Sequence, residues 1–519
     1  MVRRWTAALL VGLVTTLFAP IPPATAAPVT LRVMTLNIFY GGDEWNPAKQ
    51  QWCRHPTGCP ETLRLVAGTI EAAGADVVGL QEGTANECRL AAMLEWYCEP
   101  RLQLISRLPL IDPPSADGVY ALVEVTPGRF VAMSNVHLPS DPYGPYLVRD
   151  GVARSDVLDV ERSARLPFIR SQLDVLPDLA AAGMPVFLTG DFNSPSHLDW
   201  TPAVAAVRQE VRYQVVWPVS KALADAGFRD SYREIHPDPV SVPGFTWTPP
   251  GRLESVKDEV DDRIDWVLSK GPAEVVGTKL VGEDGGPDVD VARDPYPTDH
   301  RGVVSTFRVH PADPGPFAAV VARRVFTGEP LTVRFHGPAA RIAVVPTGRG
   351  PGAALATRSI AGSDGSVTFA TSTVDVGALE ALLVAADGSV LSRSPCWLYG
   401  AGTRPSVWTT ETTYGVGDPI RVRWRAAPGF RFDWLGVYAP GRGPAPHADR
   451  CNAGLCGNGH YLLYTYVDTQ VEGMTVIGPD AFPGYRTWPL AQGTYEIRLL
   501  MDDGYRLLAI SNVFRVRNA

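Results

Sequence analysis

The sequence lacks two features that would have narrowed its class at once. Beyond its first residues it has no apolar run near the roughly 20 residues that cross a bilayer. It also has no excess of basic residues. There are 47 Lys and Arg and 55 Asp and Glu, which gives a net charge of −8. The charge pattern of strong, sequence-independent nucleic-acid binding is therefore absent. A nuclease remains compatible with it, since a metal can supply local positive charge.

Cysteine is also scarce, with seven in 519 residues, and six of the seven form close pairs. Close spacing predicts short-loop disulfides, which an exported protein can form. Sequence alone does not fix the connectivity, and a zinc site at Cys53, His55 and Cys59 is an alternative. That alternative is disfavoured because no second ligand pair lies at suitable spacing. The unpaired Cys396 fits a buried thiol. The expected bridges are Cys53–Cys59, Cys88–Cys98 and Cys451–Cys456.

The N-terminus has the pattern of a secretory signal peptide. A basic start at Arg3 and Arg4 precedes an apolar run over residues 6–19 and a small-residue stretch ending at Ala27. The run is too short to span a membrane. We therefore expect residues 1–27 to be removed and the protein to be secreted.

Patterning divides the remaining chain, which is too long for one core. Over residues 28–309, short apolar strands alternate with helical stretches, which indicates one α/β or α+β unit. One long amphipathic helix is predicted over residues 157–179, interrupted at Pro167. Residues 310–316 are rich in Pro and read as a linker.

The C-terminal half is β-rich and repeats itself. The stretch 327–335 recurs as 416–424, a period of about 90 residues. We expect two tandem immunoglobulin-like sandwiches, over 317–400 and 405–519. The second is aromatic. Its stretches Asp433-Trp-Leu-Gly-Val-Tyr438 and Asp502-Asp-Gly-Tyr505 resemble SKICH-type immunoglobulin-like domains, which accompany some inositol-phosphate phosphatases. It is expected to supply no catalytic residue.

The strongest chemical signal is an apolar run that ends in Gly190-Asp-Phe-Asn193. Asp191 and Asn193 are two apart, so they point the same way on an extended backbone. A carboxylate and a carboxamide together suit a phosphate oxygen and a water near a cation. Alone, the motif also fits an ordinary strand exit. Polar groups of the same kind end other apolar runs of this unit, at Asn37, Glu82, His137, Asp265, Asp299 and His300.

Together these motifs resemble the endonuclease/exonuclease/phosphatase superfamily, and they keep its order over roughly residues 29–309. The resemblance implies a DNase-I-like fold, a four-layer α/β sandwich. It also implies hydrolysis of phosphate esters with a divalent metal, usually Mg²⁺, with Mn²⁺ or Ca²⁺ as alternatives. The matching motifs are Leu36-Asn37, Gln81-Glu82, Asn135-Val-His137-Leu, Gly190-Asp-Phe-Asn193, Arg263-Ile-Asp265-Trp and Thr298-Asp-His300-Arg.

The resemblance also implies a metal set, with Glu82 as principal ligand and Asn37 and Asp299 close by. Their oxygen donors suit Mg²⁺, which keeps several waters and needs only one or two carboxylates. A cation of this kind neutralises the phosphate and stabilises charge on the leaving oxygen.

The resemblance also implies a set of catalytic residues. Asp191 and Asn193 would hold the attacking water and a phosphate oxygen, and His137 would contact the phosphate. His300 would pair with Asp265, whose carboxylate fixes the tautomer of the ring. Whether Asp191 or His300 activates the water stays open. We expect in-line attack without a covalent intermediate, because no Ser or Cys lies in a nucleophile-like motif.

One departure from the family concerns the substrate cleft. The segment between Glu82 and Ser106 is short, so one wall of the cleft is expected to be reduced. The insert over residues 141–146 could replace that wall, with Tyr143 and Tyr146 stacking on a base, sugar or headgroup. It fits a plain Pro/Gly turn equally well.

A second pair of aromatic or ionisable groups, His197 and Trp200, could also border the site. A capped helix start explains this pair better.

The substrate stays open among related chemistries. The sequence favours a nuclease-like phosphodiesterase acting on nucleic acid, and the alternative is a sphingomyelinase-type enzyme acting on a phospholipid headgroup. A catalytically dead scaffold is the rival from another class. It is disfavoured because every catalytic position holds a competent residue type. We expect a monomer whose C-terminal β units could contact a cell surface or a polymer.

Overall fold

The computed structural model describes residues 27–49, 51–53, 59–116, 118–247, 259–441, 460–483, 486 and 488–518. The expected signal peptide, apart from Ala27, lies outside the described residues, as do His55 and the predicted Cys451–Cys456 bridge. No helix within the described stretches is long and apolar enough to cross a membrane.

The N-terminal unit mixes strands and helices, as its alternating pattern predicts. Its strands are β1 (Val29–Asn37), β2 (Trp45–Asn46), β3 (Gln51–Trp52), β4 (Val77–Gln81), β5 (Tyr97–Glu99), β6 (Leu104–Ser106), β7 (Leu110–Ile111), β8 (Ala121–Thr126), β9 (Arg129–His137), β10 (Val186–Asp191), β11 (Arg229–Asp230), β12 (Asp265–Lys270), β13 (Ala273–Glu283), β14 (Val289–Arg293) and β15 (Gly302–Val309). Its α-helices are α1 (Pro60–Ala73), α2 (Glu87–Leu94), α3 (Gly144–Arg149), α4 (Arg154–Ala164), α5 (Arg170–Ala181), α6 (Pro202–Val207), α7 (Pro218–Asp225) and α8 (Ser231–Ile235).

The predicted long helix around Pro167 is two helices. A 3-10 turn over Leu166–Ile169 separates α4 from α5. Proline lacks the N–H that a continuous helix would need at this point, so the chain turns there and starts a new helix.

Two mixed sheets organise this unit. The first has the strand order β14-β13-β15-β1-β4-β6-β5, with β1 parallel to β4 and antiparallel to β15. The second has the order β11-β12-β10-β9-β8-β7, with β10 parallel to β9 and antiparallel to β12. The central strands read as nearly continuous apolar runs because both of their faces are covered.

One apolar core lies between the two sheets. It joins Val33 of β1 and Phe307 of β15 to Val131 of β9 and Phe187 of β10, all fully buried. The other face of the first sheet packs on α1 and α2, and that of the second packs on α5 and α7. Because both sheets are held on both faces, the ends of their central strands are fixed relative to one another.

The C-terminal half is built from strands in two successive units. In the first unit, a three-stranded and a five-stranded sheet share one apolar core. Its strands are β16 (Phe317–Val320), β17 (Arg324–Phe326), β18 (Leu331–His336), β19 (Arg341–Pro346), β20 (Ala356–Ser359), β21 (Asp364–Phe369), β22 (Gly377–Val384) and β23 (Val390–Tyr399).

The second C-terminal unit, called here the terminal β unit, repeats this plan with its own core. Its strands are β24 (Ser406–Thr409), β25 (Thr413–Gly415), β26 (Ile420–Arg425), β27 (Trp434–Tyr438), β28 (Leu463–Tyr466), β29 (Gly473–Ile477), β30 (Phe482–Pro483), β31 (Gly493–Met501), β32 (Arg506–Ile510) and β33 (Phe514–Arg517).

The cysteine predictions that fall within the described residues are confirmed. Cys53 bonds Cys59 and Cys88 bonds Cys98, which closes loops of 6 and 10 residues. Cys396 is a free, buried thiol that packs in the core of the first β unit. The second bridge pins α2 to β5, and so it stabilises the short segment that follows Glu82.

Candidate active site

The ends of the central strands deliver the polar side chains to one place. Asn37 ends β1, His137 ends β9 and Asp191 ends β10. The strand register sets Asp191 directly beside His137 on one side and beside Asp265, the first residue of β12, on the other. The motifs that the sequence analysis singled out therefore meet at one edge of the two sheets, because each follows a buried strand.

His300 is held between two carboxylates. Its Nδ1 lies 3.0 Å from Asp265 Oδ2, and its Nε2 lies 3.6 Å from Asp191 Oδ2. Burial lowers the pKa of His300, but the charges of Asp265, Asp191 and Asp299 outweigh burial and raise this pKa to about 10. The predicted His300–Asp265 pair is therefore present in the structure, and its ring presents Nε2 towards Asp191.

His137 approaches Asp191 from the other side. Its Nε2 lies 3.7 Å from Asp191 Oδ2, while its Nδ1 lies 2.9 Å from a carboxylate oxygen of Asp503. Burial lowers the pKa of His137, but the carboxylates of Asp503, Asp191 and Glu82 raise it to about 9. Two imidazole rings thus flank the same oxygen of Asp191, and each has a carboxylate behind it.

A third contact to Asp191 comes from Asn37. The side-chain nitrogen of Asn37 donates to Glu82 Oε1 over 3.2 Å and to Asp191 Oδ2 over 3.1 Å. The other oxygen of Glu82 accepts from the backbone N–H of Tyr40 at 2.7 Å. Asn37 therefore joins the predicted metal carboxylate to the predicted catalytic one.

Asn193 follows Asp191 in a tight turn. Its backbone N–H donates to Asp191 Oδ1, and its side-chain nitrogen donates to the carbonyl of Leu138. Its φ is +47°, and Glu82 likewise has a φ of +57°. Residues other than glycine rarely adopt this left-handed region, and they do so where surrounding contacts enforce it. Asn adopts this region more readily than most residues, so it is Glu82 whose backbone is held in an unfavourable conformation.

Buried polar side chains near the site link the two sheets to each other. The amide of Asn135 accepts from Gln81 Nε2 at 2.7 Å and donates to the carbonyl of Leu80 at 2.6 Å, so it links the second sheet to the first. Thr189 also donates to Asn135 over 3.0 Å. At Gly79 a Cβ would lie 2.0 Å from Thr189 Oγ1, so only glycine lets the two sheets approach this closely.

The structure groups possible cation ligands differently from the sequence. Atoms of Asp191, Asp265 and His300 all lie within 4.8 Å of one another, which is a spacing that could hold a metal. The hydrogen bond between Asp265 and His300 already accounts for much of this clustering. The metal roles predicted for Glu82, Asn37 and Asp299 stay predictions, and Asp299 is placed beside His300, whose pKa it raises.

The tyrosines of the loop over residues 141–146 are bonded to other parts of the N-terminal unit. Tyr143 is buried and its hydroxyl donates to Asp262 over 3.1 Å, while the Tyr146 hydroxyl donates to Glu259. Gly144–Arg149 forms α3. Of the two interpretations left open for this insert, the substrate loop does not fit Tyr143, because its ring is buried and its hydroxyl is engaged.

His197 and Trp200, which could have bordered the site, are engaged by other parts of the fold. Trp200 is fully buried and donates its indole N–H to Asp262 over 2.8 Å. His197 Nδ1 lies 2.9 Å from the hydroxyl of Ser220, in a separate groove. The structural interpretation of this pair is therefore favoured, since both side chains contribute to the local fold.

One side chain that contacts this site was not indicated by the sequence, namely Asp503, whose Oδ2 lies 2.9 Å from His137 Nδ1. It lies in the terminal β unit, which was expected to supply nothing to the site. No sequence signal tied Asp503 to His137, which lies 366 positions earlier.

Comparisons with known proteins agree with the N-terminal part of this description. The model of the Endonuclease/Exonuclease/phosphatase family matches residues 34–300, just over half of the 519 residues. An uncharacterized protein of Caenorhabditis elegans, F14F9.5, is 28% identical over 271 residues, covering 47% of this chain and 79% of that protein. The matched family range includes every predicted site residue and leaves out Asp503.

Two solved structures are similar at low identity. One is an endonuclease/exonuclease/phosphatase from Beutenbergia cavernae, 19% identical, with a TM-score of 0.32, covering 71% of this chain and 100% of its own. The other is a 3′-5′ exonuclease from Neisseria meningitidis, 18% identical, with a TM-score of 0.32, covering 53% of this chain and 98% of its own.

Proposed function

The chain belongs to the endonuclease/exonuclease/phosphatase family, and from that premise we propose that it is a secreted, divalent-metal-dependent phosphodiesterase. The observation that carries the proposal is the arrangement around Asp191. His137 and His300 place their Nε2 atoms 3.7 and 3.6 Å from one of its oxygens, and Asn37 donates to the same oxygen. A phosphate and a water between these groups would meet both proton donors and a carboxylate.

The carboxylates around Glu82 support the proposal of a cation. The carboxylates of Glu82 and Asp191 converge on one amide group, that of Asn37. Nearby, burial and the charges of Asp43 and Glu82 raise the pKa of Glu44 to about 8. A concentration of carboxylates with hard oxygen donors is what Mg²⁺ suits, and we propose Glu82, Asn37 and Asp299 as its holders. When bound, such a cation neutralises phosphate charge and stabilises the leaving oxygen.

The chain's own residues then have defined tasks. Asp191 and Asn193 orient the water and a phosphate oxygen, and His137 donates a hydrogen bond to the phosphate. Asp265 fixes the ring of His300 so that Nε2 faces Asp191, where a proton can pass between the ring and the reacting groups. Water attacks in line, and no covalent intermediate forms.

Export and the finer architecture belong to the same proposal. Two disulfides in the described residues suit an oxidising compartment. We assign the N-terminal unit to the four-layer DNase-I-like arrangement, because helices pack on the outer faces of both sheets. We assign each C-terminal unit to the immunoglobulin-like class, because two sheets share one core in each.

A panel assay tests the activity. Plasmid DNA, RNA, sphingomyelin and bis(p-nitrophenyl) phosphate are each incubated with the full chain in Mg²⁺ or in EDTA. We expect turnover of at least one diester that EDTA abolishes and added Mg²⁺ restores. Hydrolysis of sphingomyelin alone would identify the lipid-type alternative. Full activity in EDTA would contradict the metal, and inactivity on every substrate would favour a scaffold.

The site assignment is tested with variants of the same protein. Asp191→Asn and His300→Gln should each lower kcat by roughly 10²-fold or more, the scale of general acid–base catalysis. His197→Gln is the matched control, because His197 lies in a separate groove beside Ser220. Near wild-type turnover in either site variant would contradict the assignment.

A further inference from the structure

The tip of the β31–β32 hairpin of the terminal β unit reaches the catalytic edge of the N-terminal unit. Asp503 Oδ2 lies 2.9 Å from His137 Nδ1, and the two side chains are only 21% and 16% exposed. The hydroxyl of Tyr466 donates to the other oxygen of Asp503 over 3.1 Å. Both oxygens of Asp503 therefore have a partner, and one partner is a predicted catalytic side chain.

The hairpin tip is fastened to the N-terminal unit by its neighbours. Asp502 accepts from the backbone N–H of Ala85 at 2.8 Å and from the side-chain nitrogen of Gln103 at 2.9 Å. A Cβ at Gly504 would lie 3.1 Å from Thr84, which is close contact. These partners lie in the segment between Glu82 and Ser106 that is short for the family. The hairpin tip occupies the side of the site where the sequence predicted a reduced wall.

The backbone of the tip is held in an unfavourable shape. Asp502 and Asp503 have φ values of +48° and +56°. The loop between the paired residues Met501 and Arg506 has four residues, and the first two lie in the left-handed region. Asp adopts this region more readily than most residues, but less readily than glycine. Such conformations persist where surrounding contacts determine them, and they concentrate at functional sites. The contacts of Asp503 to His137 and of Asp502 to Ala85 and Gln103 are of that kind.

We propose that Asp503 is a positioning residue for the hydrolytic reaction, which the terminal β unit adds to the active site by binding His137 Nδ1. The proposal rests on the proposed function. With Nδ1–H donating to Asp503, the ring is fixed so that Nε2 points towards Asp191 and the phosphate. His300 is fixed by Asp265 in the same way, so the two rings are arranged alike on either side of Asp191.

The charge of Asp503 has a second consequence. The pKa of His137 is about 9 because its carboxylate neighbours, with Asp503 the largest contributor among them, outweigh burial. A carboxylate at Nδ1 favours the charged form of the ring, and the same contact leaves Nε2 facing Asp191, where it can donate to a phosphate oxygen. The carboxylate that pairs with His137 is thus supplied by the terminal β unit and lies outside residues 34–300, which match the family.

Kinetics on the full chain test the proposal. Bis(p-nitrophenyl) phosphate hydrolysis in Mg²⁺ is measured for wild type, Asp503→Asn and Asp503→Glu, with Asp480→Asn as an exposed control on the same unit. We expect Asp503→Asn to lower kcat roughly 10- to 100-fold, as when a histidine loses its orienting carboxylate, with KM within about threefold. Asp503→Glu should recover part of the loss. A kcat for Asp503→Asn within twofold of wild type overturns the proposal.

A readout without turnover separates this proposal from the proposed function. Protein labelled with ¹⁵N in histidine gives ring signals, and His137→Gln identifies those of His137. We expect Asp503→Asn to move both ring-nitrogen signals of His137, while Asp480→Asn leaves them in place. If wild type hydrolyses nothing, the proposed function fails, and moved signals would still support the contact. Unmoved signals would overturn the contact whatever the activity.

Discussion

At the scale of single residues, the site depends on which nitrogen of each histidine faces Asp191. For His300 that choice is made by Asp265, which begins β12 and lies directly beside Asp191 in the strand register. The register thus places Asp265, which orients the His300 ring, and Asp191, which the ring faces, on neighbouring strands. A change of one atom in Asp265 should therefore affect catalysis without moving the backbone.

Asp265→Asn is expected to lower kcat by about 10²- to 10⁴-fold, because an amide can stabilise the wrong tautomer of His300 and cannot support its charged form. Steady-state hydrolysis of a diester in Mg²⁺ measures the effect. Asp284→Asn, an exposed position in the same unit, serves as the control. A kcat for Asp265→Asn within threefold of wild type would show that the His300–Asp265 pair is not used.

Sequence reasoning found the side chains that depend on local pattern. Asp191 and His137 each follow a buried strand, and strand ends that carry polar groups can be recognised along the chain. The role of Tyr143 was left open, because its contact with Asp262 lies 119 positions later in the chain. Asp503 was missed for the same reason over 366 positions. Packing between distant segments leaves no local periodicity, so the pattern of either segment could not reveal it.

At the scale of elements, α4 holds the loops on either side of the catalytic strand end. Arg165, just after the helix, bonds Glu161 at 2.6 Å and also donates to the carbonyls of Ser140 and Pro142. The second oxygen of Glu161 accepts from Ser194, which follows Asn193. Both charged side chains are fully buried. One ion pair therefore fixes the turn after His137 and the turn after Asp191 relative to each other.

Arg165→Met is expected to destabilise the N-terminal unit by about 3–5 kcal/mol, because it leaves the Glu161 carboxylate buried without its cation. The midpoint of thermal unfolding should fall by roughly 6–20 °C. Arg162→Met removes an exposed pair with Asp159 on the same helix and should shift the midpoint by little. Equal shifts in the two variants would mean that the buried pair has no special role. The double variant with Glu161→Gln should recover part of the loss.

At the scale of the whole molecule, the predicted linker is packed between units. Ala312 pairs with Phe130 of β9, and Asp313 lies 3.0 Å from His336 Nε2 in the first β unit. His336 Nδ1 also bonds Asp364, and its ring packs on Phe130 at 5.4 Å. The first β unit is therefore joined to the linker by the Asp313–His336 pair and to the N-terminal unit by the packing of His336 on Phe130. Asp364 holds His336 from within the same β unit. Composition marked this stretch as a linker, but it could not show that the stretch is docked.

This attachment should depend on pH with a definite sign. Burial lowers the pKa of His336, but hydrogen bonds to Asp364 and Asp313 raise it above the ordinary 6.5. Burial opposes the shift of both carboxyls as well, yet His336 lowers their pKa values below 3.8, and Arg129 adds to this at Asp313. The stabilisation from His336 is therefore complete below about pH 6.5 and is lost as pH rises through its folded pKa. That from the carboxylates is complete above about pH 3.8 and is lost as pH falls.

His336→Gln should consequently lower the thermal midpoint most between about pH 4 and 6.5, by roughly 1–3 °C, since the partners are partly exposed. The gap from wild type should shrink as pH rises from 7 to 10, because wild-type His336 then loses its charge. Calorimetry across this range measures the gap, with exposed His310→Gln as the control. A gap that widens above pH 7 would reverse the sign and mean that neutral His336 is the stabilising form. In that case the charge pair between Asp313 and His336 would not stabilise the docking of the first β unit.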